Sequence, residues 1–214
     1  MSYGIKIWAL FILKGSITYP VGWMMKQKDK RDEFIEILIK LGPTILGVKP
    51  AEIINIKLGT LLDKVKECMG NYPKIDFLEI KEMEKYRRMQ VFFYHKEALS
   101  KILSQKVNRD FLVNLGYPAE FNLHRYLQIL KEKLLSEEFP HEIGIFLGYP
   151  LKDVLGFMGE YSLELVDIQG WRYYGSRKLS EIHYRKFVEA RETFKFFLKE
   201  VDNPEEFYYH LKDY

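Results

Sequence analysis

One cysteine, Cys68, stands among 214 residues, and that scarcity closes off several kinds of protein at once. An internal disulfide is impossible, and zinc sites built on several thiolates are excluded. The expected compartment is a reducing one, the cytoplasm. Charge of one sign is also short. With 33 basic against 30 acidic residues, the formal charge is only +3, too little to demand a polyanionic partner. Long apolar runs are missing as well. A membrane helix needs about 18 or more nearly uncharged residues, yet the run Ile5 to Leu13 contains Lys6 and is followed by Lys14, Gly15, Pro20 and Gly22. Only Met-Ser-Tyr-Gly precedes that run, without the positive charges of a secretory signal.

Phosphate cradles and nucleophile elbows are absent in the same way. No dinucleotide-binding fingerprint, phosphate-binding loop or Gly-x-Ser-x-Gly turn occurs. Gly144 and Gly148, four residues apart, predict close helix packing instead. Cys68 lies on a helical stripe beside Met69 with no histidine nearby in sequence, which predicts a core residue.

What is present is ordinary globular material with many rings. Hydrophobic residues make up 47% and charged residues 29%, so a folded core is expected. Fifteen Tyr and fifteen Phe predict that aromatic side chains dominate it. Residues 1–25 read as an N-terminal extension, with Met24 and Met25 marking an alternative start. Residues 26–214 are expected to form one domain.

Periodicity places the elements. Asp29 caps a helix through Phe34, Ile35, Leu38 and Leu41 that Gly42-Pro43 stops, and Thr44 to Pro50 reads as a loop. Ala51 to Ile56 suits a strand, and Leu58, Leu61, Leu62 and Val65 a helix ending at Gly70-Asn71. Ile75 to Lys81 and Met89 to Tyr94 form a predicted hairpin joined by Glu82 to Arg88. Helices follow from Lys96, from Gln105 to Leu115 and, capped by Asn122, through Leu134. Pro140 and Pro150 introduce two short helices, to Leu147 and Gly159. Leu163 to Tyr174 reads as one strand bulged at Gly170, followed by a helix from Leu179 to Val201. Asn203-Pro204 opens a last one. The expected class is α+β, a small, mainly antiparallel sheet of three to four strands with six or more helices.

Two segments share a punctuation, Leu115-Gly-Tyr-Pro118 and Leu147-Gly-Tyr-Pro150. Each ends an apolar stretch before a helix start, which reads as a stop signal and not a duplication. The second belongs to a longer block, Phe139 to Phe157, with Pro140-His141-Glu142 at its head. That block resembles the signature of a bacterial family known as domain of unknown function 3793. Gly42-Pro43-Thr44 and Gly47-Val48-Lys49-Pro50-Ala51 fit the same pattern, as do Met89 to Leu99 and the Trp171, Tyr174 and Gly175 segment, where the glycine is displaced by one position. The resemblance covers about Asp32 to Glu200 and implies no activity, substrate or cofactor.

Three functional expectations follow. The first is a small-molecule- or protein-binding, regulatory module whose site gathers His141, Glu142, Tyr149 and Trp171. The second is an enzyme using His141 as general acid or base with Glu142, since imidazole titrates near neutrality. Adjacent helical residues diverge by about 100°, however, so a first-turn Glu142 facing the helix dipole is the simpler reading of that pair. The third is RNA or single-stranded DNA binding through residues 171–191, with Arg172, Arg177, Lys178 and Arg185 holding phosphates beside aromatic rings. Glu181, Glu189 and Glu192 interrupt that positive stripe. No metal is expected: Glu206, His210 and Asp213 have chelating spacing but read as surface charges near a terminus. No cofactor is named by any motif.

Overall fold

The computed structural model describes residues 30–211. The expected extension over residues 1–25, the alternative start, the Asp29 cap and Asp213 lie outside them. Nine helices, α1 to α9, and five strands, β1 to β5, are present among the described residues. The class is α+β.

The chain begins with α1 (Lys30–Ile45), β1 (Ala51–Lys57) and α2 (Thr60–Gly70). A hairpin of β2 (Ile75–Met83) and β3 (Arg88–His95) turns through one 3-10 turn at Glu84–Tyr86. Both neighbours of β3 run antiparallel to it, in the order β1-β3-β2. Successive side chains of a strand point to opposite faces, and β3 is apolar on both. Val91 and Phe93 enter one core with α1, α2 and the C-terminal helices, whereas Phe92 and Tyr94 enter a second core on the far face. Fully burying Val91, Phe92 and Phe93 stabilises by roughly 1.5–3 kcal/mol each.

The second core is roofed by α3 (Lys96–Leu103), α4 (Lys106–Asn114), α5 (Leu123–Leu135), α6 (Ile143–Phe146) and α7 (Leu151–Met158). His95 caps α3 by accepting the Ala98 N–H at 3.2 Å on Nδ1, and Asn122 caps α5 by accepting the Arg125 N–H at 3.0 Å. A separate hairpin, β4 (Leu165–Gln169) and β5 (Trp171–Tyr174), leads into α8 (Arg177–Glu200). After a 3-10 turn at Pro204–Glu206 comes α9 (Phe207–His210).

Three expectations are corrected. The first helix runs through Gly42-Pro43 to Ile45. Gly42 lets α8 approach so closely that a Cβ there would lie 2.7 Å from the Phe194 ring, and this packing holds the last turn helical. The predicted helix from Pro140 shrinks to Ile143–Phe146, since residues 140–142 form a turn. Leu163 to Tyr174 is a hairpin and not one bulged strand. Gly170 takes a left-handed φ of 73°, which reverses the chain between Gln169 and Trp171.

Candidate functional site

The block singled out in the sequence makes a corner between α6 and α7. The turn closes when Gly148 N–H donates to Ile145 O at 2.9 Å and Tyr149 N–H to Gly144 O at 2.8 Å. Gly148 has φ 81°, which L side chains rarely adopt. A Cβ on it would lie 2.6 Å from Pro50 Cδ and 3.2 Å from Phe187 Cζ. The Lys49-Pro50 segment and the Gly148-Tyr149 segment, a hundred residues apart, therefore interlock on α8.

Tyr149 then stacks on Trp171, with ring centroids 4.5 Å apart and planes inclined by 15°. Trp171 also meets Tyr173, Tyr184 and Phe187, forming a third small core. Cations surround Tyr149. Lys49 Nζ lies 5.9 Å from the Tyr149 ring centroid and 5.7 Å from that of Phe187, and donates to Glu52 Oε2 at 2.7 Å. Burial and the Glu52 charge push the Tyr149 phenol up, and Arg191 opposes them. Residues 183, 187 and 191 fall on one face of α8. His183 Nδ1 lies 3.1 Å from Gly148 O. Arg191 Nε is buried with no hydrogen-bond partner, a state that costs about 1–3 kcal/mol.

His141 and Glu142 diverge. The His141 ring packs edge-on against Phe157 at 5.1 Å and near Phe139 at 6.2 Å, and its buried Nδ1 has no partner. Burial lowers its pKa. Phe157 in turn packs against the Trp171 core, so His141 stands at the edge of the corner. Glu142 points elsewhere. Its Oε1 accepts from Lys133 Nζ at 2.7 Å and from the Tyr117 hydroxyl at 3.3 Å. Lys133 also donates to Leu115 O at 2.8 Å and lies over the Tyr117 ring. Burial first and Glu142 second push the Tyr117 phenol far above its usual value. Glu142 starts α6 without capping it through its side chain. Of the four residues expected together, Tyr149 and Trp171 touch, His141 approaches through Phe157, and Glu142 belongs to a different cluster.

Asp153, buried on α7, takes every donor in reach. Oδ1 accepts from Lys152 Nζ at 2.6 Å and from Tyr174 N–H at 2.8 Å. Oδ2 accepts from Trp171 Nε1 at 2.8 Å and Ser180 Oγ at 2.6 Å. A carboxylate offers about four lone-pair sites, and all four are used. Lys152 Nζ also donates to Ser180 Oγ and Tyr174 O, each at 2.7 Å. A serine beside a lysine is the composition of a nucleophile–base pair. Here Ser180 is sealed and its hydroxyl proton is committed to Asp153. The group is a staple joining α7, β5 and α8.

The basic set is dispersed over α8 and β5. Arg172 lies over Phe157, Arg177 pairs with Asp167 at 3.0 Å and Glu181 at 3.6 Å, and Arg185 pairs with Glu189 at 3.7 Å. Lys178 is exposed. Trp171 and Tyr173, the rings flanking Arg172, are buried and present no face for a base, and Tyr184, beside Arg185, is half-buried against Trp171. Among the described residues no group of three His, Cys, Asp or Glu could hold a metal ion. No helix among them is long and apolar enough to cross a membrane. Clefts of about 360 and 340 Å³ lie near Phe34 and Lys64 and near Ile39 and Leu198, away from the corner.

Sequence reasoning missed Lys133 and His183, counted Arg191 only within the basic stretch 171–191, and quoted Asp153 and Lys49 only as parts of motifs. One signal was readable: His183, Phe187 and Arg191 recur every four residues, which puts two polar groups on an otherwise core-facing stripe. Comparison with known proteins found no match among curated proteins and none among solved structures. A family profile does match, over residues 37–208, and its span contains both interlocking motifs and the whole corner. The chain belongs to the family described as protein of unknown function (DUF3793).

Proposed function

We propose that this domain is a bacterial cytoplasmic binding module, regulatory in role, whose ligand is a small molecule held at the Gly148-Tyr149 corner. The observation supporting it is convergence. Lys49, Tyr149, Trp171, His183 and Arg191 come from four separate segments to one place, with one buried donor lacking an acceptor. Recognition sites combine apolar and aromatic walls with a few placed polar groups in this way. The lone Cys68 favours a reducing compartment.

A catalytic reading has less support. Asp153 and Glu142 are spent on lysines and hydrogen bonds, and Ser180 is sealed. One observation favours it as a second reading: the buried, unpartnered Nδ1 of His141. It requires a substrate to bring the missing partner.

Native mass spectrometry of the full chain, purified at low salt, tests the binding reading. A small-molecule adduct is expected on the wild type and lost from Tyr149→Ala, with circular dichroism showing the fold retained. A bare chain, or an adduct held equally by Tyr149→Ala, rejects this siting. A protein in place of the small molecule replaces the ligand class.

A further inference from the structure

The chemistry of the ligand can be taken one step further, on the premise that the corner binds one. The polar groups around Tyr149 are unequal in charge. Lys49 and Arg191 are basic side chains, and Glu52 is the one carboxylate that influences Tyr149. Lys49 answers Glu52 directly at 2.7 Å. Arg191 has no such answer: no hydrogen bond or ion pair to its guanidinium occurs among the described residues, and its Nε is buried. This differs from the other arginines of α8. Arg177 and Arg185, both more than half exposed, each find a carboxylate. Of the three arginines on α8, the half-buried one is thus the one without a counter-charge.

We propose that the ligand carries an oxyanion, a phosphate or a carboxylate, that pairs with Arg191 beside the Lys49–Glu52 pair. A guanidinium presents planar N–H donors that match either group with two parallel hydrogen bonds. Arg191 lies one turn after Phe187, on the helix face that carries it, and its charge acts on Tyr149, whose ring is backed by the buried Trp171. The ligand is therefore amphipathic, with an apolar or aromatic body toward Tyr149 and its anionic end toward Arg191. Lys49 remains paired with Glu52, so the unanswered positive charge at the corner is that of Arg191.

Thermal unfolding of the full chain in inorganic phosphate, in citrate and in chloride at matched ionic strength provides the test. At about a hundredfold excess over Kd, binding raises Tm by roughly 5–10 °C. That rise is expected in phosphate or citrate for the wild type and for Arg177→Met, a remote control. It is absent in Arg191→Met and reduced in Arg191→Lys, which keeps charge but loses the fork. A response to phosphate alone identifies a phosphoryl ligand, and one to citrate alone a carboxylate. An equal rise in Arg191→Met means surface screening only and overturns the proposal. No rise in either anion also overturns it. A neutral or cationic adduct in the mass spectrum, lost with Tyr149→Ala, leaves the binding corner standing while removing the oxyanion.

Discussion

Trp171 and Asp153 are joined by a 2.8 Å hydrogen bond from the indole Nε1 to Oδ2, across 18 residues of chain. The indole that stacks on Tyr149 is thereby fixed by the carboxylate that also anchors Ser180 and the Tyr174 backbone. Rigidity at the corner thus depends on one buried acid. Asp153→Ala strands three donors and leaves Lys152 without its counter-charge. Loss of one partner from a buried ion pair costs about 3–5 kcal/mol, and equilibrium denaturation should read a loss of that size. A loss under about 1 kcal/mol would show that the network adds nothing to its surroundings.

Gly148→Ala and Gly116→Ala form a matched pair. Both positions have left-handed φ, 81° and 92°, so each substitution incurs about 1–2 kcal/mol of backbone strain. A Cβ at Gly116 meets open space, whereas one at Gly148 meets Pro50 at 2.6 Å. Overpacking adds about 1–3 kcal/mol, so the Gly148 variant should be the less stable by that margin. Equal losses in denaturant would mean the two motifs do not interlock.

The Lys133–Glu142 pair should behave as a buried contact open on one side, since the Glu142 side chain is 5% exposed and that of Lys133 is 32%. Glu142→Gln and Lys133→Met each destabilise. The double variant should recover part of the sum, because uncompensated charge is the main penalty in each single one. A double-mutant cycle with zero coupling contradicts the pairing.

Acid sensitivity has a stated sign. Burial lowers the pKa of both His95 and His141 from the usual 6.5. A histidine whose folded pKa is depressed adds stability above the unfolded value, and loses it as pH falls from 6.5 toward the folded value. Stability should therefore be flat near pH 7.5 and fall below 6.5. For His95 the reason is local: protonated Nδ1 cannot accept the Ala98 N–H. His95→Asn, which keeps a capping oxygen, should flatten part of that slope. An unchanged slope in His95→Asn assigns the sensitivity elsewhere.

Cys68 should be inert in the native protein. It is buried, and burial first, with Glu205 next, pushes its thiol up to about 12. The thiolate is the reactive form. Iodoacetamide at pH 8 should label it only after unfolding, read by intact mass; rapid native labelling contradicts the packing.

The elements were largely legible because their signals are local. The Asn122 cap, the β-branched and aromatic run of β3 and the helical stripe of α2 each declare themselves within a few residues. What escaped was set by distant contacts. The first helix passes Gly42-Pro43 because Phe194, some 150 residues on, packs there. Gly170 reverses the chain where a bulge would have fitted the same pattern. At the site, the motif residues Gly148 and Tyr149 were visible, but their meaning required Pro50 and α8 beneath them. Glu142 shows the limit most clearly. Its neighbour in sequence is His141, yet its bond partners are Lys133 and Tyr117, and no spacing rule joins those three.

The indole N–H resonances of the full, nitrogen-labelled chain offer the most direct check. Three tryptophans are present, and Trp171→Phe assigns the signal of interest. On addition of the low-molecular-weight extract of the expressing cells, a ligand seated against Tyr149 must shift the Trp171 indole, and Arg191→Met must abolish the shift. A Trp171 signal that stays in place while other resonances move puts the binding site elsewhere and contradicts the corner.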